Sequence, residues 1–373
     1  MKFSCTKDNL EKGVRTVSSI AGKQTNLPIL QNIHIKAEVG GIELSTTNLE
    51  LAIKTKVRGK VDNLGEFTIP AKLFSDYIGL LSDSRVDFEL IGDGIEITCG
   101  GTSTKINGMD ASEFPLIPNV VANETIELPA DKFKECLSCV LFAVATTEVR
   151  PELSGVYIRL MPNEVVMAAT DSYRLAEKKL MISVRDKTSE VIIPARALHE
   201  VLRMISVMDG EEGVENKLQI GLADNQALFK FGPSELITRT IEGKYPDYVQ
   251  IIPTQFQTEA IVGREELIKA VKTASLFSRT GIFDVTLEIG DGVVKVLAND
   301  AARGKNTAVC DAEVKGVANS LVANYRYVLD GLVSMPSEGV TIKIVDGMNP
   351  CVIVPNGLIE SGAQTYIVMP IRQ

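Results

Sequence analysis

The sequence lacks the long apolar stretches that mark membrane-spanning or secreted chains. No run approaches the roughly 18 apolar residues that a membrane-spanning helix needs. The first seven residues, MKFSCTK, contain no apolar core of a secretory signal. These absences predict a cytoplasmic protein with no membrane partner. The length of 373 residues exceeds what one hydrophobic core supports, so two or three domains are expected.

Cysteine is scarce and scattered, with six residues spread over the whole chain. This distribution predicts reduced, structural thiols rather than a disulfide framework. Only Cys136 and Cys139 have the spacing of a metal or redox motif. They lie in a helical pattern, without a second pair or a nearby histidine, so we interpret them as small core residues and predict no metal site.

Histidine is rarer still, and the two present have no visible catalytic partners. His34 falls in an alternating strand and His199 between two arginines, so neither has an evident nucleophile or acid beside it. The segment from Gly100 to Lys105 has residue types of a phosphate loop but lacks the required spacing. We therefore expect no catalytic residue and no cofactor, and the enzyme alternative finds little support.

Three acidic or amide residues recur at one place in the chain pattern: Asn48, Asp171 and Asp300. A catalytic carboxylate is not expected to recur in this way. The pattern instead predicts turn or capping roles.

A weak sequence motif recurs at a spacing of about 125 residues. Its copies begin at Thr68, Ile192 and Leu321, and each is an aliphatic run that enters an amphipathic helix and is followed by two strands. Another helix opens each unit. The pattern predicts an α+β fold of three repeated domains, at 1–122, 123–253 and 254–373, each with two helices packed on antiparallel sheets. Three unrelated α+β domains are the alternative, but the recurring order of helices, strands and spacing favours a repeat.

Charge is distributed unevenly on the predicted helices. The formal net charge of −9 argues against nucleic-acid binding over the whole surface. On the helix after Ala195, however, Leu198 and Val201 belong to an apolar stripe, whereas Arg196 and Arg203 lie opposite. A solvated face explains any one helix. Recurrence on several helices favours a shared basic surface that could follow a phosphate backbone without reading bases.

Five segments, taken in order and spacing, carry a resemblance to a known family over essentially the whole chain. They are Leu27–Leu30, Arg150–Gly155, Ala169–Ala176, Gly243–Tyr248 and Tyr366–Arg372. The sequence resembles the bacterial β sliding clamps, the beta subunits of DNA polymerase III.

The resemblance implies a head-to-tail homodimer whose six domains form a ring around double-stranded DNA, with helices lining the hole. Binding would be topological and independent of sequence, and would confer processivity on the replicative DNA polymerase without catalysis. The DNA-facing residues implied are Lys12, Arg15, Lys23, Lys72, Arg150, Arg196, Arg203, Lys269, Lys272, Arg279 and Arg326.

The resemblance also implies a hydrophobic groove for short motifs of the polymerase, the clamp loader and other partners. The matching residues are Leu153, Thr170, Ser172, Tyr173, Arg174, Leu175, Pro246, Gln250, Ile251, Asn324, Tyr327, Met348, Pro350, Ile367, Met369, Pro370, Ile371 and Arg372. Apolar side chains there could form an adaptable pocket, with Arg174 and Arg372 as charged donors at its edge. Without the resemblance, a simple closing strand would explain the Met-Pro-Ile terminus.

A subunit interface is expected at residues that lie off the apolar stripes. Leu276 and Phe277 fall outside the stripe of their helix, so a lone domain would expose them. The resemblance pairs this region with the strand at Thr104 and Ile106 of a second copy, in a contact that closes as a ring. The alternative is a monomeric peptide-binding adaptor that does not encircle DNA.

Overall fold

The computed structural model describes residues 1–22, 27–82, 85–147, 149–182, 188–357 and 362–372. Within these ranges the chain forms a similar series of elements three times, with one additional strand in the first repeat. The helices are α1 (Lys7–Val17), α2 (Ala71–Leu80), α3 (Ala130–Val140), α4 (Ala195–Met208), α5 (Arg264–Ser275) and α6 (Tyr325–Ser334). Two helices therefore fall in each repeat, as predicted.

The strands follow one order in each repeat. Those of the first are β1 (Lys2–Thr6), β2 (Asn32–Glu38), β3 (Gly41–Thr47), β4 (Leu51–Val57), β5 (Gly59–Asn63), β6 (Gly65–Pro70), β7 (Arg85–Ile91), β8 (Gly94–Cys99) and β9 (Thr102–Asn107). Those of the second are β10 (Glu124–Pro129), β11 (Gly155–Met161), β12 (Glu164–Thr170), β13 (Arg174–Met181), β14 (Ser189–Pro194), β15 (Lys217–Ala223), β16 (Gln226–Phe231) and β17 (Ser234–Arg239). Those of the third are β18 (Thr258–Gly263), β19 (Asp284–Gly290), β20 (Val293–Asp300), β21 (Gly304–Gly316), β22 (Asn319–Asn324), β23 (Gly339–Ile344), β24 (Cys351–Pro355) and β25 (Gln364–Val368).

The helices bury the apolar faces that their sequences predict. On α1, Leu10, Val14 and Val17 are buried, because their spacing places them on one side of the helix. Thr6 caps this helix, its Oγ1 accepting a hydrogen bond from the backbone N–H of Asn9. The same spacing buries Leu198 on α4. No helix in the described ranges is long and apolar enough to cross a membrane.

Two compact units divide the chain, and each has its own sheets. Residues 1–133 and 196–240 form the first unit, which holds a sheet of order β5-β1-β7-β8-β9 and another of order β10-β15-β16-β17-β4-β3-β2-β6. Residues 134–195 and 241–373 form the second unit, with the order β14-β11-β12-β13-β25-β24-β23-β18-β21-β20-β19-β22. The repeats therefore share sheets: β4 pairs with β17, and β13 pairs with β25, both antiparallel.

One turn recurs in all three repeats, immediately before β4, β13 and β21. The side-chain Oδ1 of Asn48 accepts hydrogen bonds from the backbone N–H groups of residues 50 and 51. Asp171 does the same for residues 173 and 174, and Asp300 for residues 302 and 303. Such Asx turns position the start of the following strand. The prediction of a turn role for these residues is confirmed.

Candidate functional site

The predicted groove residues include a set of deeply buried side chains in the second unit. Leu175 on β13 lies opposite Ile367 on β25, and both belong to one cluster with Leu153, Tyr245 and Tyr248. The three aliphatic side chains are almost fully buried, so they form a floor rather than a surface that a peptide could touch directly. The two tyrosines were not predicted as site residues, although the Gly243–Tyr248 segment contributes to the resemblance.

Apolar side chains exposed beside this floor could contact a ligand. Tyr173 is 64% exposed, and its carbonyl accepts a hydrogen bond of 2.9 Å from the backbone N–H of Met369, which ties the two segments together. Beyond it, the N–H of Ile371 donates to the carbonyl of Val322 on β22. The chain after β25 therefore lies along existing strands, and part of its apolar surface stays accessible.

The other predicted groove residues lie on turns, on the C-terminal segment and at the ends of regular elements. Met348 is exposed in a turn closed by Asp346, and exposed Gln250 donates to Asp247. Asn324 caps α6, its Oδ1 accepting from the N–H of residue 326. The remaining residues are exposed or half-buried, apart from Thr170, which is buried: Thr170, Ser172, Pro246, Ile251, Tyr327, Pro350, Pro370 and Arg372.

Arg174 differs from the expectation of a free charged donor at the groove edge. Its Nε donates to Asp171 at 3.0 Å, its Nη1 to Asp330 at 2.5 Å, and its Nη2 to the carbonyl of Phe142 at 2.8 Å. The guanidinium also lies over the rings of Phe142 and Tyr327. With only 11% of the side chain exposed, Arg174 fastens neighbouring elements together. Residue spacing could not indicate Phe142 and Asp330 as partners, because they are distant in sequence.

The basic residues predicted to face DNA separate into exposed and engaged groups. Lys72, Arg196 and Arg326 are each the second residue of α2, α4 and α6, and all three are exposed. Arg326 is stacked on the ring of Phe283, with its guanidinium carbon 3.6 Å from the ring centroid. The further exposed residues are Arg15, Arg150, Lys269 and Lys272, and of these Arg150 is paired with Glu152. Alignment of the repeats would have shown that the helix position recurs.

Two of the predicted DNA-facing cations on or after helices α1 and α5, Lys12 and Arg279, form ion pairs within the chain. Lys12 donates to Asp8 and to Glu211, the latter at 2.8 Å, and is half-buried. Arg279 is held by Asp284, with Nε to Oδ2 at 2.8 Å. Helix phase does not indicate the pairing of Lys12 with Glu211, which is distant in sequence, and the DNA-facing position of both cations stays a prediction. Lys23 lies outside the described residues.

Arg203, also predicted to lie on or near the DNA-facing surface, makes several hydrogen bonds within the chain. Its Nε donates to Glu200 at 2.7 Å, and its two terminal nitrogens donate to the carbonyls of Arg15 and Thr16 at the end of α1. Glu200 in turn accepts from Ser19 at 2.6 Å. These bonds join α4 to α1 and so connect two repeats, while contact of Arg203 with DNA stays a prediction.

The predicted interface residues lie at unpaired strand and helix surfaces, with two differences from expectation. β9, which carries Thr104, is an edge strand. Ile106 is only 3% exposed, because its side chain points into the domain core. Leu276 is 66% exposed as expected, but Phe277 is half-buried.

The cysteine and histidine residues considered as metal or catalytic candidates pack against other residues of the fold. Cys136 and Cys139 are buried, which confirms their interpretation as core residues. In the described ranges, no group of three metal-ligating side chains comes together. His34 lies between Ser45 and Glu66, and its ring stacks on Phe114.

Comparison with known proteins agrees with this architecture. Models of the N-terminal, central and C-terminal domains of the DNA polymerase III beta subunit match residues 1–118, 127–247 and 249–372. The chain is 30% identical to the beta sliding clamp of Staphylococcus aureus, covering 100% of this chain and 99% of that protein. It is 28% identical to the beta sliding clamp of Synechocystis sp., with the same coverage. The crystal structure of the DNA polymerase sliding clamp from Bacillus subtilis superposes with a TM-score of 0.92 at 27% identity, covering 100% of this chain and 99% of that one.

Fold, repeats and relatives define the class: a sliding clamp of three clamp domains, which is a non-catalytic processivity factor. The chain belongs to the DNA polymerase III beta subunit family, the bacterial β sliding clamps. The predicted fold class, family and clamp function are therefore confirmed. The relatives give no support to the monomeric adaptor.

Proposed function

We propose that two copies of this chain close head to tail into a six-domain ring that encircles double-stranded DNA in the cytoplasm. The ring tethers the replicative DNA polymerase, and its clamp loader and other proteins with clamp-binding motifs use the same groove. The exact domain boundaries, 1–122, 123–253 and 254–373, and the roles of individual site residues are part of this proposal.

The proposed ring is supported by a strand pairing between neighbouring repeats that occurs twice within the chain. In the first unit, β4 follows its Asx turn and pairs with β17, the last strand of the second repeat. In the second unit, β13 follows its Asx turn and pairs with β25, the last strand of the third repeat. By the same rule, β21 should pair with the last strand of a following first repeat, which is β9. In the described chain, β9 is an edge and the first half of β21 pairs only with β20.

The junction between β4 and β17 also predicts the register of the proposed junction between β21 of one copy and β9 of the next. Ser234 to Thr238, which follow a two-residue turn, pair with Thr55 to Leu51. The corresponding residues are Thr102 to Ile106 on β9, and Thr307 to Arg303 at the start of β21, where Arg303 immediately precedes the strand. Thr104 would then lie opposite Lys305 of the second copy. Such a head-to-tail contact uses two different surfaces and closes when the rotation permits.

The basic helix positions support contact with DNA inside the ring. Lys72, Arg196 and Arg326 repeat at one helix position, so a ring of two chains would present six such cations on its helices. Contacts of this kind neutralise phosphates without reading bases. Since the chain as a whole has a formal net charge of −9, the attraction should be weak and salt-sensitive, which permits sliding.

The decisive experiment measures retention on circular duplex DNA after loading, before and after the circle is linearised. We expect retention on circles in moderate salt and rapid loss from linear ends. Leu276→Glu should abolish retention on circles, because it places a charge in the proposed junction, whereas Leu116→Glu makes the same change at a side chain that is 97% exposed elsewhere. Equal retention on circular and linear DNA would overturn topological binding.

Groove binding needs a separate measurement, since it can fail independently of ring closure. A fluorescent peptide containing Gln, Leu and Phe should bind the wild-type chain, and Met369→Glu should weaken binding because it places a charge beside the apolar floor. The same variant should still form a ring. Unchanged affinity would remove Met369 from the proposed groove.

A further inference from the structure

The contacts of Arg174 describe how one repeat is fastened to the next. Its ion-pair partner Asp330 and its stacking partner Tyr327 both come from α6 of the third repeat. Phe142, which supplies an aromatic face and a carbonyl oxygen, follows α3 of the second repeat. We call Arg174, Phe142, Tyr327 and Asp330 the arginine clasp. It lies beside the junction of β13 with β25.

Each member of the arginine clasp has a counterpart at the proposed junction between copies. Arg303 is the third residue after Asp300, as Arg174 is the third after Asp171. In both turns the aspartate accepts a hydrogen bond of 3.0 Å from the arginine backbone N–H. The Asx turn therefore gives Arg303 the same place at the start of its strand.

The partners of the clasp are matched by position along the helices. Leu73 and Asp76 are the third and sixth residues of α2, as Tyr327 and Asp330 are of α6. Leu276 is the thirteenth residue counted from the start of α5, as Phe142 is from the start of α3. An apolar side chain thus replaces each aromatic one, while the arginine and the aspartate are kept.

In one chain, these four counterparts are all exposed. Leu73 is 54% exposed and Leu276 is 66% exposed, and Asp76 and Arg303 are also exposed. Arg303 donates to the hydroxyl of Thr280 at 3.1 Å. A single exposed leucine does not indicate an interface, since much of any protein surface is apolar. Four exposed residues that match the members of a formed clasp indicate a second clasp whose halves belong to different copies.

We propose that Arg303 of one copy forms an ion pair with Asp76 of the next copy, and that Leu73 and Leu276 cover it from solvent. This inference rests on the proposed ring, and it adds a residue-level determinant of subunit recognition. The covered pair rejects a misaligned edge, because an unpaired charge would then be buried at the junction.

A charge swap tests the pair through the dimer dissociation constant, measured by sedimentation or native mass spectrometry of the full chain. Arg303→Glu and Asp76→Arg should each weaken dimerisation about tenfold per junction, and about a hundredfold for the two equivalent junctions of a ring. The double variant should recover most of the loss. Lys295→Glu, an equal charge change at an exposed position of the same domain, should leave the dimer unaffected.

The outcomes separate this inference from the ring itself. If the wild-type chain dimerises and both single variants leave its dissociation constant unchanged, the ion pair is wrong and the ring stands. Additive weakening in the double variant also overturns the pair. If the wild-type chain stays monomeric at every concentration, the ring fails and the pair with it. Far-ultraviolet circular dichroism checks that each variant is folded.

Discussion

Removal of the Arg174 side chain should destabilise the second unit far more than removal of an exposed arginine. The guanidinium makes three hydrogen bonds and is 11% exposed, whereas Asp330 is 48% exposed. Breaking a buried pair costs about 3–5 kcal/mol. Asp330 becomes hydrated when its partner is lost. We therefore expect Arg174→Ala to lower the free energy of unfolding by about 3 kcal/mol, the lower end of this range.

The contribution of one pair follows from a double-mutant cycle. Asp330→Ala should cost only about 1 kcal/mol, since Arg174 keeps its bonds to Asp171 and to the Phe142 carbonyl. The coupling energy between Arg174 and Asp330 should then be about 1 kcal/mol. As a matched control, Arg159→Ala removes an arginine that is 45% exposed and paired with Glu190 at 3.4 Å; it should cost about 0.5 kcal/mol or less.

Urea denaturation followed by circular dichroism measures these differences, since the chain has no tryptophan to report by fluorescence. Several domains need not unfold together, so amide hydrogen exchange on β13 and β25 provides the local readout. Faster exchange in both strands of Arg174→Ala is expected. The reasoning is refuted if Arg174→Ala is as mild as Arg159→Ala, or if the coupling energy is below about 0.3 kcal/mol.

Two further predictions concern single buried positions. Burial lowers the pKa of His34 and outweighs the opposing effect of Glu66, so the unfolded chain binds a proton at higher pH than the folded chain. The free energy of unfolding should therefore fall as the pH is lowered from about 7.5 through the ordinary histidine value of about 6.5; urea titrations at several pH values should show a smaller slope for His34→Gln, and an equal slope would contradict the assignment. Gly331→Ala should destabilise the chain by about 1–3 kcal/mol despite a gain of about 1 kcal/mol in helix propensity, because its Cβ would overlap the buried ring of Tyr366; a raised unfolding midpoint would show that the ring can move.

Local periodicity predicts the elements well but not the contacts between distant segments. The helix starting at Ala195 and the apolar stripe through Leu198 follow from residue spacing alone. The pairing of β4 with β17 joins residues about 180 positions apart, and no local pattern encodes such a ladder. Arg174 and Arg203 show the same limit. Each pairs with a carboxylate only three residues earlier in the chain, but tertiary structure is needed to bring it to the distant backbone carbonyls of Phe142 and Arg15.

The residue-level roles divide in a similar way. The family resemblance places Leu175 and Ile367 in one site, and the ladder between β13 and β25 brings them together. Their burial could not be predicted, because inward and outward directions alternate along a strand and depend on register. Ile106 is the clearest case: its strand is an edge, yet its own side chain belongs to the core.

The sharing of sheets between repeats limits how this chain can be divided in the laboratory. The second repeat gives β17 to a sheet completed by β4, and β13 to a sheet completed by β25. Expressed by itself, that repeat would present two strands with open hydrogen-bonding edges, which promote aggregation by strand addition. A soluble fragment should therefore keep β4 and β25, even though these strands belong to the neighbouring repeats.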